Sequence, residues 1–216
     1  MIACTGSRGF LGKNLLDRLK NVKEFNRGDE VSFEGIDVVI HLACDADSRN
    51  SNANLPNSVH DNTGVFVDVL AEALHCGVKR FIYISSIEAE DEKNVYGICK
   101  RANEKILQVS GIPYVIIRPC NLYGKYMDLH DEKRNVVANF MRSLKEHKPL
   151  NIIGDGSKSY PFTFVKPVVD TIIESLTQYT NQTLTVGSSL YISINQLANL
   201  LEGITTTWDW VKKEKV

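Results

Sequence analysis

The feature that most limits how this chain can fold is the stretch Thr5-Gly6-Ser7-Arg8-Gly9-Phe10-Leu11-Gly12. It follows the short apolar run Ile2-Ala3-Cys4 and leads into Lys13-Asn14-Leu15-Leu16, so it reads as strand, tight turn and helix. Each of the three glycines has its own physical reason. Gly6 turns the chain, Gly9 lets a pyrophosphate approach the backbone, and Gly12 lets the helix pack close to the strand. The helix start then offers free N–H groups and the positive end of a dipole to phosphates. A plain turn would also take glycine. The position of the cluster, closing the first strand, is what points to dinucleotide binding.

The rest of the chain repeats strand and helix. Val22-Lys23-Glu24-Phe25-Asn26-Arg27 is a candidate second strand, and Asp37-Val38-Val39-Ile40-His41-Leu42-Ala43 a clear buried one. Residues 28–35 are too few to hold a further strand and helix between them, so one such unit is expected to be missing. Residues 44–55 are polar and read as a loop. In residues 57–76, Val65, Phe66, Val69, Leu70, Ala73 and Leu74 recur at helical spacing, and Gly77 stops the helix. The run Phe81-Ile82-Tyr83-Ile84-Ser85-Ser86 is continuously apolar until its end, as in a parallel strand covered on both faces. A polar loop over 88–94, a helix over 95–110 and a strand over 112–119 follow. Later come helices over 135–146 and 168–179, short strands near 162–165 and 184–187, and a short helix over 194–201. Residues 208–216 read as a solvated, frayed tail. The pattern predicts an α/β fold, a Rossmann-like doubly wound parallel sheet, trimmed, with a small C-terminal substrate lobe. Residues 1–120 with about 162–187 form the NAD(P)-binding domain, and 121–161 with 188–207 the lobe.

A net charge of -1 gives no electrostatic case for nucleic acid or an anionic membrane surface. No apolar run approaches the roughly 20 residues that span a bilayer. With a first strand read from residue 2, no signal peptide is expected. Cys4, Cys44, Cys76, Cys99 and Cys120 are scattered, odd in number and without metal-ligand spacing, which predicts reduced thiols in a cytoplasmic protein and no metal site. His41 reads as a strand-end histidine bonded to backbone.

Tyr96 and Lys100 are four apart and share one helix face. Ser85-Ser86 closes the parallel strand just before that helix, and open α/β sheets bind ligands at the carboxyl ends of their strands. A Ser, a Tyr and a Lys therefore converge beside the nicotinamide end of a dinucleotide. The chemistry needs these types. Hydride transfer to or from a carbon is matched by proton transfer at its oxygen. Tyr carries the proton, but its free pKa is about 10, and bringing it to about 7 requires about 4 kcal/mol. A lysine cation and an oxidised nicotinamide supply that electrostatically. The Ser hydroxyl holds the substrate oxygen.

With these pieces in order, the chain resembles the extended short-chain dehydrogenases/reductases, the NAD-dependent epimerase/dehydratase family. The matching stretches are residues 5–12, 37–43, Asn62 with Gly64, 81–86, 96–100 and Arg118-Pro119-Cys120-Asn121-Leu122-Tyr123-Gly124, with 185–188 and 192–194 near the end. The resemblance implies that Ser86, Tyr96 and Lys100 are catalytic, and that Asn62 supports the lysine through water. It implies a cofactor site built from Gly6, Arg8, Gly9, Phe10, Leu11, Gly12, Arg27, Leu42, Ala43, Ser85, Tyr96, Lys100, Pro119 and Asn121. Ser86, Ile87, Glu88 and Asn121 would face substrate. The segment 85–89 before Tyr96-Gly97 looks closest to the reductase part of capsular-polysaccharide sugar enzymes, without their cupin domain.

The departures shape the functional expectation. The 4,6-dehydratases carry Asp-Glu after the catalytic Ser/Thr, where this chain has Ile87-Glu88. Tyr160-Pro161 stands where the family sets an Arg on the nucleotide diphosphate, and Lys166-Pro167 where two acidic residues are common. Arg134, Arg142 and Lys125 are candidates to compensate and are also ordinary surface charges. Asn26-Arg27 replaces the acidic residue that accepts from the adenosine 2′-OH, which favours NADP over NAD. The expected function is NAD(P)-dependent reduction of a nucleotide-linked keto sugar. The alternatives are a nucleotide-sugar epimerase with retained NAD(P), and a non-catalytic dinucleotide-binding sensor or scaffold. A homodimer is expected through helices 57–76 and 95–110, with Val67, Ala71 and Cys99 supplying apolar surface.

Overall fold

The computed structural model describes residues 1–48, 51–130 and 135–214, with backbone alone at residues 208 and 210–214. Its centre is a six-stranded sheet in the order β2-β1-β3-β4-β5-β9. The strands are β1 (Ile2–Thr5), β2 (Val22–Phe25), β3 (Val38–His41), β4 (Arg80–Ile84), β5 (Tyr114–Pro119) and β9 (Gln182–Val186), and every pairing is parallel. Helix α1 (Phe10–Leu16) joins β1 to β2. Helix α2 (Leu55–Val59), a π-turn (His60–Gly64) and α3 (Val65–His75) run on as one helical rod after β3. Short α4 (Glu88–Asp91) and long α5 (Val95–Val109) lie between β4 and β5. Beyond β5 come β6 (Leu122–Tyr123), α6 (Val136–Lys145), β7 (Ser159–Pro161), β8 (Thr163–Phe164) and α7 (Val165–Glu174), and after β9 come β10 (Tyr191–Ser193) and α8 (Ile194–Glu214).

Alternation along each strand builds the two cores. On β4, Phe81 and Tyr83 face α3 and α5, packing with Phe66, Val69, Leu70, Ala73 and Leu107. Ile82 and Ile84 face the other way, with Leu11 and Leu15 of α1 and Val165, Val168, Val169 and Ile172 of α7. Both faces are covered, so the strands read as unbroken apolar runs. A third cluster, Val137 and Phe140 of α6 with Leu197 and Ala198 of α8, forms away from the sheet.

The missing strand–helix unit leaves β2 at the sheet edge. The segment 26–36 folds back over that edge. Phe33 is fully buried and meets Phe25 edge-on with ring centres 5.4 Å apart, and the Lys23 ammonium bonds the Ser32 carbonyl at 3.0 Å. Exposed Lys23 and Glu24 add charge that discourages strand addition.

Several sequence expectations need correction. The stretch 88–94, read as a loop, contains α4, because fully buried Ala89 anchors a turn of otherwise acidic residues. The second strand stops at Phe25, since Asn26 turns inward to the glycine loop. The expected frayed tail from residue 208 is a continuation of α8 to Glu214. Cys99 is buried on the inner face of α5 and supplies no outer surface. Arg134 lies outside the described residues.

Candidate active site

Gly6 takes a left-handed φ of +73°, and a Cβ there would stand 2.7 Å from the Ala43 nitrogen. That contact closes the crevice between β1 and β3, where the strand order reverses and open α/β sheets bind ligands. A Cβ on Gly12 would meet the Ser7 carbonyl at 2.4 Å, so this glycine packs against its own loop rather than the strand expected from sequence. Gly9 is the N-cap of α1 and has no side chain to bond the first N–H groups, which suits a phosphate seat. Phe10 and Leu11 begin the helix, and Leu42 is tied to β1 through its N–H on the Thr5 carbonyl at 3.1 Å.

Asn26, in the usual acidic position, accepts from the Arg8 N–H at 3.0 Å and exchanges hydrogen bonds with Ser7. The Glu24 carboxylate takes the Ser7 hydroxyl at 2.7 Å. Arg27 stands largely exposed beside Asn26, with its guanidinium 2.8 Å from Asp61 on the π-turn. The donors and the open glycine turn fit a dinucleotide.

Across the crevice, α5 begins at Asn94, whose side chain accepts from the Gly97 N–H at 2.8 Å. A Cβ on Gly97 would lie 2.5 Å from the Glu88 carbonyl, so α4 rests directly on the α5 backbone at this glycine. Tyr96 and Lys100 follow on the inner face, 7% and 2% exposed, with the ammonium 5.6 Å from the centre of the Tyr96 ring. The Lys100 ammonium bonds the Ile84 carbonyl at 2.8 Å, the last residue of β4 before Ser85-Ser86. Burial raises the Tyr96 phenol above its usual range, and the Lys100 cation opposes that without cancelling it. Burial works against the Lys100 charge, but its charge interactions with Cys44, Tyr83 and Tyr96 and its interaction with the Tyr83 hydroxyl outweigh that and hold the lysine above its usual range.

The two serines diverge. Ser86 accepts the Glu88 N–H at 3.2 Å on its hydroxyl. The Ser85 hydroxyl turns inward and donates to Glu104 at 2.5 Å. The Glu88 carboxylate takes the Asn94 amide at 2.6 Å, and Ile87 bonds the Pro119 carbonyl through its N–H at 3.2 Å. Asn121 has a left-handed φ of +36° and spans to the Pro161 carbonyl at 3.2 Å. Asn62 is buried in the π-turn, where its main-chain carbonyl accepts from the Asn103 amide at 2.8 Å. His41 bonds the Thr5 hydroxyl at 2.8 Å rather than backbone.

Sequence reasoning passed over the support beneath this site. Glu104 is fully buried and meets Arg118 in a two-point contact of 2.8 and 2.5 Å, and Arg118 reaches Glu90 of α4 at 2.9 Å. Glu104 lies four residues past Lys100, a spacing that was readable; its partner on β5 was not.

A parallel sheet with a glycine turn at its switch point and a buried Tyr-Lys pair one strand away defines a dinucleotide-dependent short-chain oxidoreductase. A family model described as the NAD dependent epimerase/dehydratase family matches residues 26–187. The chain belongs to that family, and is an enzyme of its NAD(P)-dependent epimerase, dehydratase and reductase kind. A putative UDP-glucose 4-epimerase of Methanocaldococcus jannaschii is 24% identical over 94% of this chain and 81% of its own length. The UDP-2-acetamido-2,6-beta-L-arabino-hexul-4-ose reductase of Pseudomonas aeruginosa is 27% identical over 93% of this chain and 56% of its own length. Among solved structures, the UDP-glucuronic acid 4-epimerase from Bacillus cereus in complex with UDP-glucuronic acid and NAD has a TM-score of 0.82. It is 23% identical, with 95% of this chain and 83% of that one covered, which establishes likeness of fold. No helix among the described residues is long and apolar enough to cross a membrane.

Proposed function

We propose that this enzyme reduces a keto group on a nucleotide-linked sugar, with NADPH as the reductant. The observation that carries the reading is the pairing of buried Tyr96 and Lys100, with the ammonium on the Ile84 carbonyl two residues before Ser86 and no acid–base pair directly after that serine. Ile87 cannot transfer a proton, and the Glu88 carboxylate is engaged by Asn94. Dehydration across a hexose C5–C6 bond needs such a pair, whereas keto reduction does not. The relationship to a UDP-keto-sugar reductase supports the same reading.

A bound nicotinamide would supply the hydride. The Ser86 hydroxyl orients the keto oxygen, and Tyr96 delivers the proton to it. Lys100 lowers the cost of the phenolate that remains and holds the nicotinamide ribose. Asn62 fixes the helical rod behind the lysine. Gly9, with Phe10 and Leu11 at the start of α1, would hold the pyrophosphate in a turn that Gly6 and Gly12 shape, while Leu42, Ala43, Pro119 and Asn121 would line the crevice. Arg8 and Arg27 flank Asn26 and receive a 2′-phosphate, with Glu24 already engaged by Ser7. Residues 121–161 and 188–207 act as the sugar-nucleotide lobe, and the chain works as a homodimer.

Tyr96→Phe is the test. Turnover should fall by roughly 10² or more with NADPH affinity nearly intact. Near-normal turnover would remove Tyr96 as the proton carrier. The second reading is epimerisation with retained cofactor, favoured by the epimerase among the relatives. It uses the same Tyr96 and differs in returning the hydride to the sugar.

A further inference from the structure

Behind Lys100 lies a buried polar cluster in which Asn103 and Tyr83 have no part in these steps. Asn103 is fully buried and sits three residues past Lys100, on the same face of α5. Its amide nitrogen donates to the Asn62 main-chain carbonyl at 2.8 Å and to the Tyr83 hydroxyl at 3.0 Å. A carbonyl only accepts, so the Asn62 contact fixes which end of the amide points there. The Tyr83 ring is fully buried between His41 and Phe66, with ring centres 5.9 and 4.9 Å away. The Lys100 ammonium lies 4.9 Å from the centre of that ring. Asn62 Oδ1, Asn103 Oδ1 and His41 Nε2 are buried here without a hydrogen-bond partner. Hydrogen bonds lead from the Asn62 carbonyl through the Asn103 amide to the Tyr83 phenol, and the Lys100 ammonium lies over the Tyr83 ring.

We propose that Asn103 and Tyr83 are positioning residues for Lys100, forming a bridge made of protein groups where the family resemblance puts a water. The proposal rests on the reading of Lys100 as the working lysine, but its test needs no substrate. A buried ammonium must fill its N–H groups or lose its proton. The Ile84 carbonyl takes one of them. The Tyr83 phenol is among the groups that favour the lysine's charge, its ring centre lies 4.9 Å from the ammonium, and Asn103 holds its oxygen. The other titratable groups around Lys100 are Tyr96 on its own helix, His41 on β3 and Cys44 in the following loop. Burial, with the Lys100 charge adding to it, pushes His41 down to about 3, so it stays neutral and adds no charge. Without the phenol oxygen, or without the amide that holds it, burial is less opposed and the lysine loses its proton more easily.

The test uses the full chain, free of cofactor and carrying nitrogen-15 at the lysine Nζ atoms, with the Lys100 signal assigned by its loss in Lys100→Met. The parent, Tyr83→Phe and Asn103→Leu are titrated to about pH 10.5, near the ordinary lysine pKa. In the parent, Lys100 should remain an ammonium throughout. In each variant its midpoint should fall inside that range. A merely structural role would lower the melting temperature and leave the titration in place. Lys100 remaining an ammonium in both variants overturns the proposal. Should Tyr83→Phe fail to fold, Asn103→Leu alone decides it. Failure of the reductase reading would show as absent turnover in the parent and would leave this titration unaffected.

Discussion

Replacing Glu104 by Gln removes the charge on which the underside of the site is built. Both Glu104 oxygens face Arg118, one also takes the Ser85 hydroxyl at 2.5 Å, and the other takes Arg101 at 3.1 Å. In the substituted amide one acceptor becomes a donor facing a guanidinium. Arg118 then keeps one amide oxygen and, as its one carboxylate partner among the described residues, Glu90, whose side chain is 46% exposed. Removing one partner of a buried pair costs about 3–5 kcal/mol, and the surviving Glu90 contact puts this case near the lower end. At about 2–4 °C per kcal/mol for a chain of this size, the melting temperature should drop by about 6–12 °C at pH 7. Calorimetry on parent and Glu104→Gln measures it directly. Burial raises the Glu104 pKa, but the Arg118 and Ser85 hydrogen bonds outweigh it and leave the folded value below the usual carboxylate range. A depressed carboxylate contributes stability above its unfolded pKa of about 4.3 and loses it as pH falls through the folded value. The gap between parent and variant should therefore close in acid. A drop of less than about 3 °C at pH 7, or a gap that persists unchanged in acid, would refute the reasoning.

Three further outcomes are expected. Arg27→Ala should narrow the preference for NADPH over NADH by about tenfold in competing fluorescence titrations, the scale of one charge-assisted phosphate contact; equal affinities in the parent would contradict the NADP assignment. His41, pushed down to about 3 by burial, holds the folded state neutral, so its contribution is complete above about pH 6.5 and declines by about 1.4 kcal/mol per pH unit as pH falls toward 3. Urea midpoints of His41→Gln should show a flatter acid limb than the parent, and parallel limbs would count against this. Light scattering at micromolar concentration should give twice the chain mass, because Leu55, Val59, Val67 and Leu74 on the α2–α3 rod and Ile98, Ile106 and Val109 on α5 leave apolar side chains exposed; a monomer mass would exclude that pairing.

The parts of the site that were legible in the sequence are those set by short-range spacing. Gly6, Gly9 and Gly12 mark a strand-to-helix turn, and Tyr96 with Lys100 share a face by helical geometry alone. The continuous apolar runs gave the parallel sheet, and the shortness of 28–35 gave the missing unit. What stayed hidden depends on contacts across the fold. Arg118 meets Glu104 only because α5 packs against β5, and Asn103 meets Asn62 only because α5 packs on the π-turn. The π-turn itself has no periodic signature. The extension of α8 passes through Gly203 and the β-branched Thr205, Thr206 and Thr207, residues of low helix propensity. Asn94 was readable in principle, as a capping residue just before Val95.

The most direct measurement of the central claim is a single turnover with 4-deuterated NADPH against a panel of nucleotide-linked 4-keto sugars, with products read by mass spectrometry. Deuterium in the sugar, with one NADP formed per sugar reduced, is the predicted result. Interconversion of sugar epimers with no net oxidation of cofactor would contradict reduction and establish the epimerase reading in its place.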